Sequence, residues 1–411
     1  MTARARGNGE GSIYAYRNGF AAYVWVTKPD GRRARKYVYG PDRDTVHDKW
    51  LKLHQQAKQG PVATRVPTVA RYLAYWLEEI VKPNLAPSTY ISYEGFSRLY
   101  IVPGIGGKHL DRLQVREVQT WINQVARTCQ CCAQGKDQAR KPAKQRCCAL
   151  GNCCKAVPSD NSMKGLRATL RAALSQAVAE ELITKNVAAL VKLRATRKKT
   201  RKAWDSDEAR RFLEAARADK DPLYAAWVLI LVLGLRRGEL LGMGWDDIDE
   251  AAGEFNVAWQ LQRIGGQLVR RGTKTEESDA PLPLPDMCVT ALAIRRAEQQ
   301  ADRKAANDAW QGSPLVFTTR YGTPIEPRNF NRAWDARVRR YGLRRITPHG
   351  ARRTCASVLA DLDVHPRVAM QILRHADFKV TMEVYTNVSS KQTREALKRL
   401  GERMSGTESP A

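Results

Sequence analysis

No apolar run in this chain is long enough to span a bilayer. The longest, YAAWVLILVLGL, is about 12 residues and stops at Arg236 and Arg237, against the roughly 20 that a membrane helix needs. It reads as a buried core helix, and no membrane partner is expected. The opening MTARARGNGEG also lacks an apolar stretch. A secretory leader is therefore not expected, and the chain is read as soluble and cytoplasmic. Acidic residues are scarce beside basic ones. The 42 Asp and Glu face 69 Lys and Arg in 411 residues, a formal net charge of +27. A solubility charge is usually about 2–8 for a small domain. The excess favours a polyanionic partner, because neutralising phosphates releases counterions. There is no internal repeat.

The length exceeds one typical core, so two or three domains are expected. Near the start, GSIYAYRNGF carries Asn18-Gly19, a two-residue hairpin signal, and KPDG places Pro29 and Gly31 where a turn needs them. The helical pattern RDTVHDKWLKLHQQAKQG follows, with Val46, Trp50 and Leu53 on one face and Gly60 to stop it. Several helical patterns come next. In one of them Ser88 is a candidate N-cap. After the basic, apolar-poor linker RATRKKTRKAW, a capping signal at Asp205 or Ser206 opens the last domain. The expected fold is multidomain, mainly α with small β-sheets. It comprises an N-terminal three-stranded sheet plus helix over 1–62, an all-α domain over 64–195 with a Cys-rich insertion at 129–154, and a mixed α+β domain over 197–411 that includes the C-terminal tail. In the first domain Arg32, Arg33, Arg35 and Lys36 lie on a strand dense in charge. A β-ribbon of this kind can enter a DNA groove; the alternative is a solvated edge guarded by charge.

Seven of the nine cysteines fall in one segment, CQCCAQGKDQARKPAKQRCCALGNCC. In a reducing compartment such a cluster is more often a metal site than a disulfide framework. Cys129, Cys131, Cys132, Cys147, Cys148, Cys153 and Cys154 are candidate ligands, and thiolates at this spacing favour zinc. Seven are too many for one site and one short of two separate four-cysteine sites. No histidine lies within the segment to complete the count. A redox-labile loop and free thiols are the alternatives. The basic residues between the cysteines point the loop toward a DNA backbone.

Four stretches carry chemistry. In LGLRRGELLGMGW, Arg236 and Glu239 are three apart and can pair on one helical face. In RRITPHGARRT, Thr347 is an N-cap and Pro348 suits the first helical position. His349 then falls in the first turn with Arg352 on the same side, beside unpaired backbone N–H groups that suit a phosphate. RGTKTEESDAPLPLP places Lys274 at the tip of an expected β-hairpin. ILRHADFKVTMEVYTNV brings His375 and Tyr385 across a short loop. No carboxylate cluster of the kind a two-metal nuclease requires lies beside these motifs.

Arg, Lys, His-x-x-Arg, His and Tyr, in that order and in one domain of a basic chain, resemble the tyrosine recombinase (phage integrase) family. The matching text is GLRRGELLGMGWDDID, TKT with PLP, TPHGARRTCASVLA and LRHADFKVTMEVYTNV. It covers about 197–395 and extends more loosely to a core-binding domain and an arm-binding domain before it. The resemblance implies a site-specific recombinase that integrates or excises a mobile element. Arg236, Lys274, His349, Arg352, His375 and the nucleophile Tyr385 would be its catalytic set, with Glu239 in support. It implies double-stranded DNA attachment sites as substrate, a homotetramer on paired sites, accessory DNA-bending or directionality proteins, and no cofactor for catalysis. Two positions depart from the family pattern: Arg353 where a histidine often stands, and Arg374 where glycine is common. The rival readings are a type IB topoisomerase-like relaxing enzyme and a non-catalytic DNA-binding regulator. The tail, SSKQTREALKRLGERM, is either a helix that packs on a neighbouring protomer or a simple terminal helix.

Overall fold

A computed structural model describes residues 13–28, 31–60, 66–195, 202–272, 281–374 and Met382. It divides into two compact units, Met1–Lys198 and Lys199–Ala411.

The first unit opens with β1 (Tyr14–Tyr16), β2 (Gly19–Thr27) and β3 (Arg33–Gly40), an antiparallel sheet in the order β1-β2-β3. Tyr16 pairs with Gly19, so the hairpin turn is Arg17–Asn18, one residue earlier than the Asn18-Gly19 signal implied. Arg17 takes the left-handed conformation, with φ 51°. Gly19 serves a close approach instead: a Cβ there would sit 2.4 Å from the Gly40 carbonyl oxygen. β2 and β3 pair in register from Phe20 opposite Gly40 to Thr27 opposite Arg33. Pleat alternation turns Ala22, Val24 and Val26 toward Val46, Trp50 and Leu53 of the Arg43–Gln59 helix. Asp42 caps that helix by accepting from the Thr45 N–H at 2.7 Å.

A separate hydrophobic cluster builds the helical part of the same unit. The Val69–Tyr75, Val115–Arg127 and Asp160–Ala179 helices contribute Leu73, Ile122, Leu166 and Leu170 to it. Ser159 caps the last of these, and Gln114 with Glu117 closes a capping box on the second. Ser88 does not cap its helix. Pro87 occupies the first helical position and Ala86 the cap of Pro87–Phe96. Proline has no N–H to satisfy and a φ already set for the first turn, so the helix begins one residue before the serine.

The second unit is organised around a cluster of packed aromatic rings. Trp204, Phe212, Trp227, Phe330 and Trp334 have ring centroids 4.9–6.1 Å apart, a separation that favours edge and offset contacts. Asp205 and Glu208 form the capping box of the Ser206–Ala218 helix. The Tyr224–Val232 helix is buried from Ala225 through Leu231, as its uninterrupted apolar text implied. Among the described residues no helix is long and apolar enough to cross a membrane.

Five short strands follow: β4 (Ile248–Asp249), β5 (Glu254–Asn256), β6 (Trp259–Ile264), β7 (Gln267–Gly272) and β8 (Pro281–Pro283). β5 lies between β4 and β8 in one sheet, while β6 and β7 form a hairpin. The hairpin turns at Gly265 and Gly266, both with positive φ. Lys274 lies outside the described residues, in the sequence between β7 and β8. Positions 196–201 of the basic linker, His375, Tyr385 and the C-terminal tail also lie outside them.

Candidate active site

The buried Tyr224–Val232 helix delivers the chain to Gly234, which has φ 59°. A Cβ at Gly234 would also lie 2.7 Å from Leu373 Cδ2 and 3.2 Å from Cys355 Sγ. Glycine is therefore required twice, by conformation and by space. Two residues later Arg236 becomes the N-cap of the Arg237–Gly242 helix. Glu239 closes this turn. Its Oε2 accepts from the Arg236 backbone N–H at 2.9 Å, and its Oε1 accepts from Arg236 Nη1 at 2.6 Å. The expected Arg236–Glu239 pair thus forms, and it fixes main chain and side chain together. The Arg236 side chain keeps 42% of its surface exposed, against 4% for Glu239, so the guanidinium presents a face outward.

Arg352 is held differently. It lies in the Pro348–Asp361 helix, is 3% exposed, and donates from Nη1 to the Gly234 carbonyl at 2.6 Å and from Nη2 to the Leu373 carbonyl. Burial, then the charge of Arg236, lowers its pKa to about 9. It remains a cation at neutral pH. At the start of the same helix the Thr347 hydroxyl accepts from the Gly350 N–H at 3.2 Å, with Pro348 in the first helical position. This is the expected cap, and it sets His349 in the first turn. His349 keeps an exposed edge. Partial desolvation, and then the charges of Arg352, Arg353 and Arg236, push its imidazole below the usual histidine value. It is neutral at physiological pH and able to accept a proton.

Arg374 is the residue that sequence reasoning recorded only as a departure from a pattern. It ends the Pro366–Leu373 helix in the left-handed conformation, with φ 50° and ψ 54°. That geometry explains why glycine suits the position. The arginine brings something glycine lacks. Its guanidinium, 1% exposed, donates from Nη2 to Glu239 Oε2 at 2.8 Å, while its own carbonyl accepts from Arg236 Nη2 at 2.9 Å. Burial works against ionised Glu239, but Arg374 and Arg236 outweigh it and hold the carboxyl below its ordinary range. The C-terminal carbonyls of the 366–373 helix thus lie against both arginines of the expected set.

The structure brings Arg236, Glu239, Arg352 and Arg374 together, with His349 under the charges of Arg352 and Arg236. Lys274, His375 and Tyr385 fall outside the described residues. A guanidinium carries five N–H donors, more than the two side-chain contacts that orient Arg236 use, and the partly exposed Arg236 side chain can offer the rest to an oxyanion. The arrangement suits two fixed cations and a neutral base around a phosphodiester.

Of the four N-terminal candidates, Arg33 and Arg35 lie on the exposed face of the sheet. Arg35 sits 4.8 Å from the ring centroids of both Trp25 and Tyr23, and Arg33 5.7 Å from that of Trp25. Trp25, Tyr37 and Tyr39 are 42–49% exposed on this face, a row the sequence carried as alternating aromatics. Lys36 is separated from them: it pairs with buried Val24 in the register and lies on the helix side, where burial lowers its pKa. Arg32 precedes β3, and its carbonyl accepts from the Lys28 N–H at 2.8 Å.

The cysteine segment folds into a short Gln130–Ala133 helix and tight turns at Pro142–Lys144 and Cys148–Leu150. All seven of its cysteines are free thiols. Asp137, a lone acid among basic neighbours, is fully buried. It accepts from the backbone N–H groups of Cys147 at 2.9 Å and Ala149 at 3.1 Å, and from Arg140 Nη1 at 2.6 Å. Its isolation in a basic stretch was the signal that could have found it.

Comparison with known proteins defines first the fold class. The structure resembles that of the Tn1549 transposon integrase in complex with transposon right-end DNA, with a TM-score of 0.62 over 81% of this chain and 99% of that one, at 19% sequence identity. Residues 202–392 match the model of the phage integrase family, and residues 68–126 match that of the phage integrase N-terminal SAM-like domain. A XerC-like tyrosine recombinase of Caldanaerobacter subterraneus subsp. tengcongensis is 24% identical over 91% of this chain and 93% of its own length. An integrase of Streptomyces ambofaciens is 25% identical over 87% of this chain and 86% of its own. The chain belongs to the phage integrase family. It is a tyrosine-type DNA recombinase, which breaks and rejoins DNA strands in site-specific recombination.

Proposed function

We propose that this recombinase acts on double-stranded attachment sites of a mobile element, with Tyr385 as nucleophile. Attack on the scissile phosphodiester joins the DNA to the tyrosine through a 3′-phosphate and releases a 5′-hydroxyl. That hydroxyl, from a partner strand, later attacks the phosphotyrosine and regenerates the phenol. The two steps exchange similar bonds, so no external energy source is needed. A phenol near pKa 10 is a weak nucleophile at neutral pH. His349 takes its proton, Lys274 protonates the leaving oxygen, and Arg236, Arg352 and His375 stabilise charge on the phosphoryl oxygens. The observation that carries this reading is the arginine pair, oriented by Glu239 and by the carbonyls of Gly234, Leu373 and Arg374, beside a histidine held neutral.

DNA as substrate is transferred from the Tn1549 integrase complex, and the +27 charge supports it. We assign residues 1–62 to a second, arm-type DNA site, 64–195 to the core site and 197–411 to catalysis, and take a tetramer on paired sites as the working assembly. Catalysis uses no cofactor. The cysteine segment holds structural zinc, supported by sulfur groups close enough to share an ion. The test is a nicked suicide substrate. Wild-type protein should accumulate a covalent adduct, and Tyr385→Phe should bind the site equally well and form none. An adduct with Tyr385→Phe removes the assignment.

A further inference from the structure

The seven clustered cysteines pose a counting problem that the fold resolves. Two groups of four sulfurs each lie within 4.8 Å of one another: Cys129, Cys132, Cys148 and Cys153, and Cys131, Cys147, Cys148 and Cys154. Cys148 is in both. The two groups together use every cysteine of the segment once, and Cys148 twice. We propose that this segment holds one binuclear zinc cluster in which the Cys148 thiolate bridges both ions. This deepens the structural-zinc reading above and rests on it.

The distances fit. Four sulfurs about 2.3 Å from a tetrahedral zinc lie about 3.8 Å from each other. In the first group Cys129 and Cys148 are 3.9 Å apart and Cys132 and Cys153 3.7 Å. In the second, Cys131 and Cys147 are 3.8 Å apart and Cys148 and Cys154 3.7 Å. These are far from the roughly 2 Å of a disulfide. Cys129 and Cys154, one from each group, also approach to 3.9 Å, so the two sets meet edge to edge around Cys148.

The backbone is arranged for ligation before any metal is considered. Cys148 opens the Cys148–Leu150 turn, which ends at Gly151 with φ 81°. The Leu150 and Asn152 N–H groups both donate to the Cys147 carbonyl at 3.0 Å. Buried Asp137 holds the same turn through the Cys147 and Ala149 N–H groups, and so presents Cys147 to the second ion and the adjacent Cys148 to both. The Lys155 N–H points at Cys153 Sγ, 3.4 Å away, as a donor to a thiolate would. Charge fits as well. Two zinc ions with seven thiolates leave a net negative cluster. The stretch 129–155 that carries it holds Lys136, Arg140, Lys141, Lys144, Arg146 and Lys155 against one acid, Asp137. Each thiol that binds releases its proton to solvent, and no redox step is involved.

The experiment is metal analysis of the full chain purified without chelators, with three variants. Wild type should carry two zinc ions per chain. Cys132→Ser touches only the first group and Cys147→Ser only the second, so each should retain one. Cys148→Ser damages both groups and should fall toward none. Because a variant can fail to fold, the wild-type chain is also loaded with 113Cd. Two resonances in the four-sulfur range, split by coupling through the shared sulfur, are expected. One zinc per chain overturns the binuclear cluster and leaves single-site zinc standing. No zinc in fully active protein overturns both readings. Two ions with uncoupled cadmium resonances, and one ion retained in Cys148→Ser, overturn the bridge.

Discussion

Buried ionic contacts decide the behaviour of this site at the scale of single residues. Glu239 serves two arginines, one partly exposed and one sealed in the protein. Removing its charge strands Arg374 without a countercharge, which typically costs about 3–5 kcal/mol when one partner of a buried pair is lost. Glu239→Gln should therefore lower the unfolding midpoint sharply. Adding Arg374→Gly should recover part of the loss, because glycine accepts the left-handed conformation and leaves no orphaned cation. A double variant less stable than the single one contradicts this account. Glu239 has a depressed folded pKa. Its contribution is therefore complete above the unfolded value near 4.3 and is lost as pH falls through the folded one. His349 gives a second prediction. Its pKa is lowered, so single-turnover cleavage should stay flat through neutrality and decline only below about pH 6.5, the ordinary histidine value. His349→Gln should cut the rate by roughly 10²–10⁴ and abolish that decline; an unchanged acid limb in the variant removes His349 as the base. The Arg236–Glu239 spacing and the Thr347 cap could be read from sequence because both are local. The Glu239–Arg374 pair could not, because its partners are 135 positions apart and meet only after a left-handed turn.

At the scale of elements, short-range chemistry was readable and exact placement was not. The three-stranded sheet, its helix and the buried Tyr224–Val232 helix all follow from apolar periodicity. The errors are small shifts, of one residue at the Arg17–Asn18 turn and of two at the Ala86 cap. In each case a neighbouring residue competed for the special position. Which face of β3 a side chain occupies follows from the register, and this separates Lys36 from Arg33 and Arg35. The exposed row of Trp25, Tyr37 and Tyr39 with Arg35 combines stacking surface with charge. If this sheet binds the arm-type site, Trp25→Ala with Arg35→Ala should weaken binding to arm DNA at least tenfold. Binding to core-site DNA and the melting profile should remain as in wild type. Equal loss on both DNAs, measured by fluorescence anisotropy at fixed salt, contradicts a separate arm function.

At the scale of the whole molecule, the charge of +27 is an affinity term without sequence information. Specificity and chemistry must come from the two units' particular surfaces. Family membership and strand exchange were readable because six residues, of four types, occur in a fixed order; the cluster stoichiometry was not, because sharing of Cys148 is visible only in three dimensions. The proposed strand exchange turns on the phenol of Tyr385 carrying the DNA. The most direct measurement is to trap the adduct on a suicide substrate, digest protein and DNA, and identify the linked peptide and the linked DNA end by mass spectrometry. A single adduct is expected on the peptide containing Tyr385, joined to a 3′-phosphate, with a free 5′-hydroxyl on the released strand. Linkage to any other residue, or to a 5′-phosphate, contradicts it.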